Sequence, residues 1–180
     1  MKSRREFITS TAAGAAAICA GTLFPGISAA GYKRIMGANA KIRLSVMGVN
    51  GRGSSLTKNF LKLNDCEIVH ICDVDTRALA KCCNDVEKIQ GRKPLGFSDF
   101  RKSLESRDVD AMVIATPDHW HAPAALTAMK AGKHVYLEKP CSHNPREGEI
   151  LIRAVNQYGK VLQMGKDRKS TRLNSSHVSQ

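Results

Sequence analysis

Three glycines, Gly48, Gly51 and Gly53, stand directly behind the apolar run Ile42–Met47. Glycines so placed let backbone N–H groups aim at one point with no side chain in the way. A helix beginning there adds the positive end of its dipole. That is the chemistry of holding a phosphate or pyrophosphate. The spacing G-x-x-G-x-G reverses the familiar fingerprint G-x-G-x-x-G, so on their own the glycines also fit a plain turn between strand and helix. A second run, Cys66–Asp73, ends in a carboxylate 25 residues beyond Gly48. An acidic side chain about that far on receives the hydroxyls of an adenosine ribose. Asp75 is better placed to cap the following helix, which leaves Asp73 for a ligand. Loop and carboxylate together predict dinucleotide binding.

Such residues need a scaffold, and the alternation around them supplies one. Ile42–Gly48 reads as a buried strand, followed by a helix from about Arg52 to Leu63. Cys66–Asp73 is a second strand and Thr76–Ile89 a second helix, with apolar positions at helical spacing. Ser98 or Asp99 caps a further helix, and Val109–Pro117 is the most apolar strand. The helix after it carries Pro123 in its first turns and ends at Gly132. Lys133–Pro140 is a strand, Arg146–Gly159 a helix and Lys160–Gly165 a last strand. Strands alternating with helices in this way predict an α/β domain over residues 41–166, a doubly wound parallel sheet with right-handed crossovers.

The formal charge of +12 first suggests a nucleic-acid partner. Half of it lies in the first forty and last fourteen residues, and the remainder is scattered. Aromatics make up only 5% of the chain, too few for a base-stacking surface, which argues against nucleic acid. The six cysteines form no C-x-x-C pair and show no zinc-ligand spacing. They read as free thiols, mostly buried, and no metal site is expected.

The ends read differently from the middle. Residues 1–30 have a basic start, an uncharged stretch from Phe7 to Ala30 and small residues at the close, the layout of a secretory signal. Arg4 and Arg5 with Phe7 and Ile8 match a twin-arginine export signal, which predicts a periplasmic or otherwise exported protein. The uncharged stretch is mostly Ala, Gly, Ser and Thr and contains Pro25, so a stable membrane anchor is not expected. Cys19 follows Ile18 rather than a small residue, which argues against a lipid anchor. Residues 31–40 form a linker. At the far end, Asp167–His177 lacks apolar periodicity and back-translates into a common sequencing-adapter oligonucleotide. Residues 167–180 are therefore expected to be an artefactual, disordered tail, with the natural reading frame continuing beyond Gly165.

Ala115–Pro140 reads ATPDHWHAPAALTAMKAGKHVYLEKP. With GANAKIRLSVMGVNGRG (Gly37–Gly53) and ICDVD (Ile71–Asp75), it resembles the Gfo/Idh/MocA oxidoreductases, and within them an exported subgroup with a twin-arginine signal. The resemblance implies a Rossmann-like cofactor domain and assigns roles residue by residue. Gly48, Asn50, Gly51, Arg52 and Gly53 would line the pyrophosphate, and Asp73 the adenosine ribose. Thr116 and Pro117 would border the cofactor, with Asp118, His119, Trp120 and His121 continuing that wall. Glu138 and Lys139 would reach the nicotinamide end, with Lys139 also near the substrate as the catalytic cation, and Pro140 would fix the turn. Trp120 reads equally well as helix packing. His70 and His134 read as structural residues within strands, His143 as a helix-start or loop residue, and Cys141 stands where an aliphatic residue is expected.

Asp73 places a carboxylate where the 2′-phosphate of NADP would lie, and like charges repel, which predicts NAD rather than NADP. The resemblance further implies hydride exchange with a sugar, cyclitol or related polyol. Some exported relatives are instead glycosidases that keep NAD bound for a redox-neutral cycle. A third reading is a dinucleotide-binding fragment without turnover. In the family a second α/β domain brings the substrate pocket and acid–base residues, and the full-length protein would be a homo-oligomer. None of that domain is read in these 180 residues.

Overall fold

The structure, a computed structural model, describes residues 41–165. The expected export signal (1–30), linker (31–40) and tail (167–180) lie outside the described residues. Six strands alternate with helices: β1 Ile42–Met47, β2 Cys66–Cys72, β3 Leu95–Phe97, β4 Ala111–Ile114, β5 His134–Leu137 and β6 Leu162–Met164. The helices are α1 Arg52–Phe60, α2 Thr76–Gln90, α3 Phe100–Leu104, α4 His121–Lys130 and α5 Pro145–Tyr158. A single 3-10 turn, Asp118–Trp120, leads into α4. The sheet is parallel throughout, in the order β3-β2-β1-β4-β5-β6. That order reverses direction between β1 and β4, which opens a crevice where the loops leaving those two strands part.

The sheet is covered on both faces, and the four inner strands share their side chains between two cores. Val113 packs with Leu44, Val46, Ile68, Ile71 and Val86, beside α1 and α2. Met112 and Ile114, on either side of it in β4, join Leu137, Leu151 and Met129 on the opposite face. Burying each such side chain is worth about 1.5–3 kcal/mol. Helix α4 meets the sheet through Ala122, Ala124, Ala125 and Ala128, whose small size brings its backbone close to β4 and β5. Cys72, Cys82 and Cys83 are buried in these cores, Cys66 and Cys141 are half-buried, and none of the five is bridged.

Local signals account for most boundaries. Asp75 caps α2, accepting from Arg77 N at 2.9 Å and Ala78 N at 3.4 Å, and Asp99 caps α3 from Arg101 N at 3.0 Å. Asn144 caps α5 through Glu147 N at 3.0 Å, and Gly159 ends it at φ +60°. His70 and His134 are structural, as expected: His70 Nδ1 meets Ser103 Oγ at 2.9 Å, and His134 Nδ1 accepts from Val161 N at 3.1 Å. Strand β3 was not foreseen. It is three residues long, lies on the sheet edge and has Gly96 at its centre, so no alternation marks it. The other strands are shorter than expected, because Ala115–Pro117 and Glu138–Pro140 leave the ladder to form loops.

Candidate functional site

The loop between β1 and α1 assigns each glycine a separate task. Gly48 turns the chain at φ +83°, and a Cβ there would lie 2.9 Å from the backbone of Ala115 and Thr116. At Gly53 a Cβ would sit 1.9 Å from the carbonyl oxygen of Gly48, so this glycine lets α1 pack against its own loop. A Cβ on Gly51 would meet nothing within 4 Å. Gly51 starts α1 with no side-chain cap, whereas Asp or Asn caps α2, α3 and α5. The open glycine thus directly precedes the uncapped amides of α1.

Asp73, at the end of β2, serves the same loop. Its Oδ2 accepts from Val49 N at 2.7 Å and its Oδ1 from Asp75 N at 2.9 Å. The carboxylate is thus fixed against the glycine loop, with lone pairs left over for further donors.

Both groups open into a cleft of about 880 Å³ above the crevice between β1 and β4. Of the expected binding residues, Gly48, Asn50, Gly51, Arg52 and Asp73 line one part of it. Thr116, Pro117, His119 and Trp120 line another. Trp120 is 47% exposed, so it belongs to the cleft wall rather than to the core. The Oγ1 of Thr116 is buried without a hydrogen-bond partner, a cost of about 1–3 kcal/mol that a ligand donor or acceptor would relieve.

Five expected residues stand elsewhere. Gly53 is buried in the loop's own packing. Asp118 turns away from the cleft, with Oδ2 3.2 Å from His143 Nδ1 and Oδ1 accepting from His119 N at 2.8 Å. The bond to His143 is the main reason its carboxyl is held below the usual range. His121 is buried inside α4, its Nδ1 2.5 Å from Pro140 O and its Nε2 2.8 Å from Thr116 O, so it is no part of the wall. The turn Asp118–Trp120 explains this, since it presents His119 and Trp120 outward and rotates the next residue inward. Glu138 is 5% exposed and does not reach the cleft. Instead its Oε1 accepts from Arg52 Nε at 2.9 Å and its Oε2 from Lys139 N at 3.2 Å, tying α1 to the end of β5. The Lys139 side chain is exposed and lies outside the cleft lining.

The cleft also has a wall that motif reading missed: Ser98, Asp99, Phe100 and Arg101, at the start of α3. The cap at Asp99 was legible, but without β3 it had no place in the sheet. Arg101 Nη2 donates to Asp99 Oδ2 at 2.8 Å, and that bond holds the Asp99 carboxyl below its ordinary range. Among the described residues, no cluster of three His, Cys, Asp or Glu side chains is arranged to hold a metal ion, and no helix is long and apolar enough to cross a membrane.

The geometry fits a dinucleotide: an open glycine before uncapped amides, a fixed carboxylate and an orphaned hydroxyl around one cleft. Comparison with known proteins agrees. The sequence model of GFO_IDH_MocA, an oxidoreductase family with an NAD-binding Rossmann fold, matches residues 42–166. A "Glycosyl hydrolase family 109 protein 2" of Shewanella sp. (strain ANA-3) is 38% identical over 104 residues, 56% of this chain and 23% of that protein. A "Glycosyl hydrolase family 109 protein" of Saccharopolyspora erythraea is 34% identical over 152 residues, 77% of this chain and 33% of its own length. The chain thus spans a quarter to a third of the curated relatives it matches. Among solved structures, the WlbA dehydrogenase of Bordetella pertussis, in complex with NADH and UDP-GlcNAcA, superposes with a TM-score of 0.61. It is 28% identical, over 69% of this chain and 37% of that one.

Proposed function

We propose that this chain, which belongs to the Gfo/Idh/MocA oxidoreductase family through its NAD-binding Rossmann domain, is the cofactor-holding part of an oxidoreductase acting on a sugar, cyclitol or related polyol. The observation that carries the reading is the cleft itself, where the Gly51 opening, the Asp73 carboxylate and the unpartnered Thr116 hydroxyl converge. The amides at the start of α1 and the positive end of its dipole hold the pyrophosphate. Asp73 accepts from the adenosine ribose, and its charge repels a 2′-phosphate, so NAD is preferred over NADP. Thr116 and Pro117 bound the nicotinamide side, and bound nicotinamide supplies the hydride exchange. Lys139, exposed outside the cleft lining, orients a substrate hydroxyl and stabilises negative charge developing on it. The substrate pocket and a proton acceptor belong to further chain, as the greater length of the relatives suggests.

The names of the curated relatives favour a second reading, an NAD-retaining glycosidase. In that case the same cleft serves a cycle with no net redox change. Titrating the 180-residue chain with NADH and NADPH while following Trp120, the sole tryptophan, tests the cofactor reading. Absence of NADH binding would refute it. In the complete protein, a sugar-dependent change in nicotinamide absorbance marks the oxidoreductase, and aglycone release without such a change marks the glycosidase. We also propose that Arg4 and Arg5 direct twin-arginine export. Export of the protein after both are changed to Lys would overturn that.

A further inference from the structure

Resting on the cofactor reading above, we propose that the guanidinium of Arg101 is the platform on which the adenine base of the dinucleotide stacks. The strand order fixes where that base must lie. The pyrophosphate site follows β1 and the ribose carboxylate, Asp73, follows β2, its neighbour in the sheet. A ribose joins phosphate and base through carbons on opposite sides of its ring oxygen. The base therefore extends onward, towards the end of β3. There β2 and β3 pair as far as Cys72 and Phe97, and Asp73 N continues the ladder by donating to Phe97 O at 3.1 Å. Ser98 thus leaves the sheet beside Asp73, about one strand spacing or ~5 Å away. Val74 and the segment Ser98–Arg101 line the cleft at this corner.

Two features of the corner suit a base. Val74, directly after the carboxylate, is 87% exposed, an apolar side chain left in water. Arg101 is bound as a fork: its Nε lies 2.9 and 3.1 Å from the two carboxylate oxygens of Asp99, and its Nη2 lies 2.8 Å from Oδ2. Those bonds fix the plane of the guanidinium and offset its charge, yet 71% of the side chain stays exposed. What remains for a ligand is a flat, weakly hydrated face. Adenine is neutral, planar and aromatic, and bases stack on guanidinium planes. A 2′-phosphate would instead meet the carboxylates of both Asp73 and Asp99. Arg101 thus sets affinity for the adenosine half and takes no part in hydride exchange.

The test titrates the 180-residue chain and its Arg101→Lys and Arg101→Ala variants with NADH and NADPH by calorimetry. Lysine keeps the charge and loses the plane, so both variants should bind NADH about fivefold more weakly or worse, the effect of removing one stacking contact. Their urea midpoints should match that of the unaltered chain, since the Arg101 side chain is exposed. With the Arg101 Nε–H assigned in 15N-arginine-labelled chain, NADH should move that proton upfield, into the shielding zone of the adenine ring. A nuclear Overhauser effect to adenine H2 or H8 should accompany the shift. Full NADH affinity in Arg101→Lys overturns the proposal, because charge alone then suffices. A downfield shift also overturns it, since it marks a hydrogen bond in the ring plane. So does a loss confined to NADPH, which assigns the guanidinium to a 2′-phosphate. Should either variant fail to fold, the Arg101 resonance of the unaltered chain still decides. The two readings fail separately. An unaltered chain that binds no NADH refutes the cofactor reading, whereas equal NADH binding with and without the Arg101 guanidinium refutes this inference alone.

Discussion

The three loop glycines can be separated by adding one methyl group at a time. At Gly53 the new Cβ would lie 1.9 Å from Gly48 O, and since that atom is backbone, loop and helix must move apart by more than 1 Å. Overpacking of this kind costs about 1–3 kcal/mol or more, against roughly 1 kcal/mol that alanine returns inside a helix. A net loss of about 2 kcal/mol is expected. At Gly48 the φ of +83° adds a left-handed penalty of about 1–2 kcal/mol to three backbone contacts at 2.9 Å, for a total near 3 kcal/mol. At Gly51 no atom lies within 4 Å, and only the exchange at the helix cap remains, about 1 kcal/mol. Urea denaturation without cofactor should therefore rank the variants Gly48→Ala, Gly53→Ala, Gly51→Ala from most to least destabilised. NADH titration should single out Gly51→Ala, with native-like stability and affinity reduced about tenfold, because its methyl enters the space left for the pyrophosphate. Tolerance of Gly53→Ala, or a Gly51→Ala variant as unstable as the other two, would refute the division of labour.

Three more perturbations follow from the site's polar contacts. Arg52→Met leaves the buried Glu138 carboxylate with no charged partner and should cost about 2 kcal/mol, between exposed and fully buried pairs; adding Glu138→Gln should restore about half in a double-mutant cycle by thermal melting. Asp73→Ser cannot reach both Val49 N and Asp75 N, so it should lose about 1–3 kcal/mol of stability while narrowing the gap between NAD and NADP affinity. Burial lowers the pKa of His70, so below about pH 6.5 the unfolded chain takes up a proton that the folded chain refuses. Stability should accordingly fall as pH drops from 7 to 5, by urea denaturation, and His70→Gln should flatten that slope.

The glycine loop was legible because its constraints are local, whereas the strand ends were read too long, since Ala115–Pro117 and Glu138–Pro140 leave the ladder. A turn at positive φ and a helix packed on its own loop both demand glycine at fixed positions. The cap at Asp99 was legible for the same reason, while β3 carries no pattern in its three edge residues. The stretch from Asp118 to His121 was misread because its residues adjoin in sequence but diverge in space. A 3-10 turn sends His119 and Trp120 to the cleft, Asp118 to His143 and His121 into the core. Glu138 was misread likewise, since its partner Arg52 lies 86 residues earlier and only the sheet brings them together.

The sulfur chemistry of the core has a consequence for lifetime. Burial pushes the thiols of Cys72 and Cys82 up to about 11, and that of Cys83 upward as well. At pH 8 roughly one Cys72 or Cys82 side chain in a thousand is then a thiolate, the form that oxidants and disulfides attack. Cys72 sits beneath the floor of the cleft, so even an open cleft offers a reagent little to react with. Oxidation of these three thiols must wait for the sheet to open. The buried sulfurs therefore act as a clock, recording how often the fold comes apart.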